Sequence, residues 1–175
     1  MHYTKPQIIE LLNESFGQLL YVSSSIPETR YNFSKDQKWS TAENIQHLIN
    51  ATRMTHLAFN LPKIFPRLLY GKPNRTSHTF TKVVDAYHKK LQQGAKASGL
   101  YLPGKKLYVK AQHDNSLKSS SVKLVSTIEN KWSEQQLDAL QVAHPLLGLV
   151  TLRELAYFTV YHNRHHEQTI KELYL

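Results

Sequence analysis

The sequence of 175 residues predicts a single all-α domain, a four-helix bundle spanning residues 1–175. Recurring helix-start signals, apolar residues repeated at helical spacing and a shortage of strand signals support this fold class. The start signal is a Ser or Thr followed three residues later by Glu or Gln. These two side chains bond reciprocally to the first free backbone N–H groups of a helix. The pattern occurs at Thr4–Gln7, Ser40–Glu43, Ser133–Gln136 and Thr151–Glu154.

The first two long helices are predicted from apolar residues that recur on one face. We expect the first to run from about Lys5 to Ser24, because Pro27 interrupts the pattern after it. The second is expected from Thr41 to about Asn60, where Pro62 stops it. The apolar face of the first helix consists of Ile8, Ile9, Leu11, Leu12, Phe16, Leu19 and Leu20.

An extra short helix and an irregular segment are expected between the second and third long helices. Residues 61–82 contain prolines and the turn sequence Gly71–Asn74, which favour irregular backbone. The short helix is predicted from Lys82 to about Lys96, where glycines and a proline follow it. Leu107–Ala111 alternates between apolar and polar residues, but this isolated run does not predict a sheet.

The remaining chain predicts two long helices with a short one between them. The third long helix should run from about Ser116 to Lys131. A short helix is expected over Glu134–Val142, and His144–Gly148 is predicted to form a turn. The last helix is expected from Thr151 to about Leu173.

The composition limits the available chemistry. The chain has no cysteine, which excludes disulfides, thiolate zinc sites and a cysteine nucleophile. A metal must therefore be held by His, Asp, Glu or water. Hydrophobic residues at 41% and charged residues at 20% are typical of a globular protein and exclude a disordered one.

The formal net charge of +9 comes from basic residues that are scattered along the chain. No block of five like charges occurs, which favours a solvated basic surface or an anionic substrate over nucleic-acid binding. The first residues, MHYTKPQIIELL, lack the pattern of a signal peptide. No run approaches the ~18 apolar residues of a membrane span. We therefore expect a cytoplasmic protein with no membrane partner.

His162 and His166 in the last predicted helix are the leading candidates for metal ligands. Helical residues four apart lie about 40° apart around the axis and one turn apart along it, so two imidazoles can converge on one ion. His165 lies on another face and is the second choice. The alternative for the pair is ordinary hydrogen bonding in the core. The stripe predicted to face the interior is Leu152, Leu155, Thr159, His162, His166, Thr169 and Leu173.

A third ligand could come from the second helix, which carries His47 and His56. The two are nine residues apart and so point to opposite sides of the helix. His56 falls within the apolar arc, whereas His47 lies at its edge beside Ala51 and Met54. Periodicity leaves the choice open and slightly favours His56.

Three segments together resemble the DinB/YfiT-like family of small metal-binding four-helix bundles. They are the pattern Trp39-Ser40-x-x-Glu43-x-x-x-His47-Leu48, the segment HPLLGLVTLREL beginning at His144, and Tyr161-His162-x-x-x-His166. The segments GKPNRTSHTF and YHKKLQQGAKASG resemble one branch of the family. The resemblance covers most of the chain, from about Trp39 onward.

The resemblance implies His47, His162 and His166 as the ligands of one divalent metal ion, zinc or nickel. It is the resemblance, not the spacing, that favours His47 over His56. It also implies one or more coordination positions left to water, and a homodimer. Some members of the family are thiol-dependent transferases or isomerases.

Three classes of function remain open. The first is a metal-dependent transferase or hydrolase acting on a small-molecule substrate, with any thiol supplied from outside because the chain has no Cys. The second is a non-catalytic metal-binding or interaction module with a structural or vestigial site. The third is a nucleic-acid- or protein-binding bundle. No general base is identified, because Glu43 is better explained as part of a helix cap. Whether His56 or His165 joins or replaces a ligand also stays open.

Overall fold

The computed structural model describes Met1 to Leu175 and confirms the helical bundle with its extra short helix. Four long helices form the bundle, and shorter elements connect them. The helices are α1 Lys5–Ser25, α2 Glu28–Tyr31, α3 Thr41–Asn60, α4 Ile64–Tyr70, α5 Phe80–Gln92, α6 Lys110–Lys131, α7 Glu134–Ala139 and α8 Leu152–Tyr174, with a 3₁₀ turn at Gly99–Tyr101. The only sheet is a hairpin of β1 Gln141–His144 and β2 Gly148–Thr151.

The long helices α1, α3, α6 and α8 enclose one contiguous apolar core. Helix α3 packs on α6, α1 packs on both α6 and α8, and α3 and α5 also contact α8. Tyr31, Phe59 and Tyr157 are among the largest side chains that are fully buried in this core. Helix α8 is central, because every residue from Leu152 to Val160 is buried.

All four capping patterns identified in the sequence form reciprocal side-chain caps, at the starts of α1, α3, α7 and α8. The N-cap residue of α6, Val109, has no side chain that can accept a hydrogen bond. Its start therefore carries no signal, and the expected beginning at Ser116 is wrong by nearly two turns. No strand forms at Leu107–Ala111, because α6 begins at Lys110.

The segment expected to be irregular, residues 61–82, contains α4. Its Pro66 lies in the first turn, where a missing N–H costs no hydrogen bond, so this proline is compatible with a helix. Helix α5 begins two residues before the expected Lys82 and ends before the expected Lys96. Gly94, with a φ of 84°, turns the chain there.

The short helix predicted over Glu134–Val142 ends at Ala139, and the chain continues as a strand. Strands β1 and β2 pair antiparallel, with Val142 opposite Val150. The predicted turn between His144 and Gly148 is correct, and it closes the hairpin. Both valines are buried, so the hairpin leads into α8 along the edge of the core.

The loop before α5 is tied to α8 through Glu154, a carboxylate with no exposed surface. Arg75 donates from two guanidinium nitrogens, and the backbone N–H groups of His78 and Thr151 donate as well. Burial raises the pKa of Glu154, but these donors outweigh burial and hold its pKa below the ordinary value. The irregular loop thus has a fixed position against the last helix. None of the helices has the length and hydropathy that a membrane span requires.

Folding stability should fall below about pH 6.5 in part because of His113, which is 6% exposed. Its Nδ1 lies 3.0 Å from the Tyr31 hydroxyl, while its Nε2 is buried without a partner. Burial lowers the pKa of His113 to about 4. Between pH 6.5 and 4 the unfolded chain binds a proton that the folded ring does not, so stability decreases as pH falls. The full loss is roughly 3 kcal/mol.

Urea unfolding at several pH values between 7.5 and 4, with chelator present throughout, measures this dependence. Variant His113→Gln should lose less stability over this range than the unaltered chain, even if the free energies of unfolding of the two proteins differ at pH 7.5. Identical pH slopes in the two proteins would contradict the assignment.

Candidate metal centre

The structure brings His47 of α3 together with His162 and His166 of α8. The candidate ligand nitrogens of the three rings all lie within 4.8 Å of one another. The ring centroids form a nearly equilateral triangle, with sides of 4.9, 4.8 and 4.7 Å. Each side chain is between 5% and 8% exposed, so the cluster lies at the edge of the core and faces away from bulk water.

Two of the three rings are oriented through their Nδ1 atoms. His47 Nδ1 lies 2.6 Å from the carbonyl oxygen of Tyr101, and His166 Nδ1 lies 2.7 Å from the side-chain oxygen of Asn44. The amide of Asn44 donates to the carbonyls of Trp39 and Ser40, which directs its oxygen towards His166. Both acceptors require a proton on Nδ1, so both Nε2 atoms carry a free lone pair.

The Nε2 atoms of His47 and His162 lie 3.0 Å apart. Because His47 Nε2 has no proton, this spacing fits either a hydrogen bond donated by the Nε2–H of neutral His162 or a cation shared by the two nitrogens. Two nitrogens each 2.0–2.1 Å from a tetrahedral zinc ion are about 3.3 Å apart. The donor set therefore fits a divalent ion after small side-chain rotations.

The electrostatics keep the three imidazoles neutral near pH 7. Burial is the main cause that lowers the pKa of each ring, and it lowers the pKa of His162 and His166 well below the ordinary value. Repulsion among the rings lowers the pKa values of His162 and His166 further. The neighbouring Glu43 is engaged by Ser40 at the start of α3. An ion held here would keep its full double positive charge.

Aromatic side chains enclose the cluster. Trp39 stacks on His166 at 6.3 Å and lies 5.1 Å from the ring of His47. Phe158 stacks on His162 at 4.9 Å, and the ring of Tyr87 is 6.1 Å from the same imidazole. These apolar surfaces limit the approach of water and fix the ring planes.

The other candidates from the sequence lie outside this triangle. His56 points towards α6, with Nε2 3.1 Å from the hydroxyl of Thr127. Periodicity slightly favoured His56, but the apolar arc that contains His56 faces α6, whereas His47 faces α8. His165 lies beside the cluster, with its ring 5.2 Å from that of His166. His144 stabilises the hairpin turn by accepting from two backbone N–H groups.

Two orienting groups were not identified from the sequence. Asn44 precedes His47 by three residues and shares its helix face, so its spacing could have indicated a role. The Tyr101 carbonyl could not have been found, because every residue has one and the chain path beyond α5 decides which carbonyl reaches the ring.

The hydrogen bonds predict the tautomer of each ring in chelator-treated protein at pH 7. We expect the proton on Nδ1 in His47 and His166, and on Nε2 in His162, which donates to His47. Two-dimensional ¹⁵N–¹H NMR of the imidazole nitrogens distinguishes these states. Protonation of Nε2 in His47 or His166 would contradict the arrangement.

Known proteins resemble the chain in both sequence and fold. The DinB superfamily model matches residues 11–170. Among solved structures, YfiT from Bacillus subtilis superposes with a TM-score of 0.63 at 15% identity, covering 97% of this chain and 85% of that one. YfiT is described as a probable metal-dependent hydrolase with an unusual four-helix bundle topology, and at this identity it supports the fold alone. No curated protein matches the sequence. The family match extends over nearly the entire chain, from α1 to α8, and the chain therefore belongs to the DinB superfamily.

Proposed function

We propose that this chain binds one divalent metal ion, zinc or nickel, through His47, His162 and His166 and uses it as a metal-dependent hydrolase or thiol-dependent transferase. The observation that carries the proposal is the convergence of three buried imidazoles, two of them oriented by Nδ1 acceptors. YfiT, which shares the fold, is described as a probable metal-dependent hydrolase, and we extend that class of function to this chain as part of the proposal.

Three neutral protein ligands are typical of catalytic sites, whereas structural zinc sites are closed by four protein ligands. When bound, such an ion supplies a Lewis acid that lowers the pKa of a coordinated water towards ~7 or polarises a substrate oxygen or thiol. The chain has no cysteine, so a thiol substrate must come from outside.

The residues around the ligands orient them and restrict water. Asn44 and the Tyr101 carbonyl hold two rings with their lone pairs turned to the centre. Trp39 and Phe158 cover the rings with apolar surface, which strengthens electrostatic interactions at the centre.

A second candidate is a non-catalytic metal-binding module. The near-complete burial of the three ligands favours it. The homodimer implied by the resemblance and the cytoplasmic location expected from the sequence stay predictions.

Metal content tests the ligand assignment. Elemental analysis of tag-free protein, reconstituted with zinc or nickel, should give about one ion per chain. The double variant His162→Ala/His166→Ala should lose the ion, because one imidazole cannot hold it. The matched variants His165→Ala and His56→Ala should retain it. Loss of metal in either matched variant, or no metal in the unaltered chain, would refute the three-histidine site.

Activity separates the two candidate functions. Metal-loaded protein should hydrolyse an activated ester or amide, or transfer an added thiol to an electrophile, and chelator should abolish the reaction. The double variant should be reduced at least about a hundredfold, because the Lewis acid is lost. Stoichiometric metal with no reaction across such a panel would support the non-catalytic module instead.

A further inference from the structure

A second polar site lies between α3 and α6, where a groove of about 370 Å³ opens to solvent. Its lining contains no apolar and no acidic side chain. Helix α3 contributes Arg53 and His56, and α6 contributes Lys123 together with Ser116, Ser119 and Ser120. A cleft lined by charge of one sign focuses the electrostatic field and raises the local concentration of counter-ions.

The charges of this groove are not neutralised by the protein. Neither Arg53 nor Lys123 has a carboxylate within salt-bridge distance, whereas the buried Arg153 is paired with acidic residues of α7. Burial lowers the pKa of His56, and Lys123 and Lys131 lower it further through their positive charge. The groove therefore has a positive potential that an anion would relieve.

The serine hydroxyls of the groove also lack protein partners. Elsewhere in the helices, the hydroxyls of Ser15 and Ser121 donate to carbonyl oxygens three residues earlier. Ser116, Ser119 and Ser120 make no such bond, although Ser120 is only 7% exposed. Their hydroxyls are available to a ligand that accepts several hydrogen bonds at once.

We propose that the groove between α3 and α6 binds the phosphoryl group of a small molecule, either free phosphate or a phosphate monoester. A phosphoryl group carries about two negative charges and three acceptor oxygens. The Arg53 guanidinium can meet two of these oxygens, Lys123 supplies a point charge, and the serines supply hydroxyl donors. The volume leaves room for the organic part of an ester.

This site is separate from the three-histidine cluster. His56 follows His47 by nine residues, so it lies about 13 Å further along α3 and on its opposite side. An anion between α3 and α6 therefore does not contact the metal ligands, and its binding can be tested in the presence of a chelator.

The test is a titration of ¹⁵N-labelled protein with sodium phosphate and, separately, with glycerol 3-phosphate. Ionic strength is kept constant with sodium chloride. Saturable shifts are expected at the amides of Ser119 and Ser120 and at the Arg53 side chain. Tighter binding of the ester identifies a phosphate monoester as the ligand, and equal binding identifies free phosphate.

The double variant Arg53→Gln/Lys123→Gln removes the two cations of the groove. It should weaken phosphate affinity at least about tenfold, because two charge-assisted contacts are lost. The control Arg67→Gln/Lys118→Gln changes the net charge equally at exposed positions outside the groove, and it should alter affinity less than about twofold. All four residues are exposed, so both variants should retain the fold.

Three results would overturn the proposal. One is the absence of saturable shifts with either phosphate compound. Another is an equal loss of affinity in the groove variant and the control, which would indicate general attraction to a basic protein. The third is that a thymidine oligonucleotide binds more tightly than either phosphate compound and that the control variant and the groove variant weaken its binding equally. This result would indicate an extended nucleic-acid surface.

Discussion

Helix α8 is buried on nearly every side over Leu152–Val160, and the rest of the structure depends on how its polar groups are accommodated there. A helix in this position has no face to turn to water, so each polar side chain needs an internal partner. Arg153 is held by two acidic residues of α7, Glu154 by the loop before α5, and Asn163 by a serine of α1. The same requirement applies to His162 and His166, whose partners come from α3.

The fold could be predicted where local chemistry decides it. Apolar spacing and side-chain caps located α1, α3 and α8 to within about two residues. The start of α6 at Lys110 was misplaced because its cap uses no side chain, and α4 was missed because Pro66 was read as a helix breaker. The hairpin was recognised only as a turn. Its strands are four residues long and are stabilised by packing against the core, which periodicity over so few residues does not reveal.

The site could be predicted only in part. One of its features depends on residues close together in the sequence, and two depend on how distant segments pack. The spacing of His162 and His166 is local, and it correctly placed both rings on one buried face. The choice of His47 over His56 depends on how α3 is rotated between α6 and α8. The resemblance to a known family supplied that choice, and periodicity did not. The Tyr101 carbonyl depends on the path of a loop that has no sequence signature.

The separation of the histidines along the chain has a consequence for biosynthesis. His47 and His162 are 115 residues apart, so a ribosome makes the first on the order of ten seconds before the second. During this interval α3 can begin to pack with the earlier helices, but no trio of imidazoles exists to hold an ion. The metal ion proposed for the three histidines would therefore bind only after α8 has docked. Binding of that ion would stabilise only those chains in which α8 has already packed against α3.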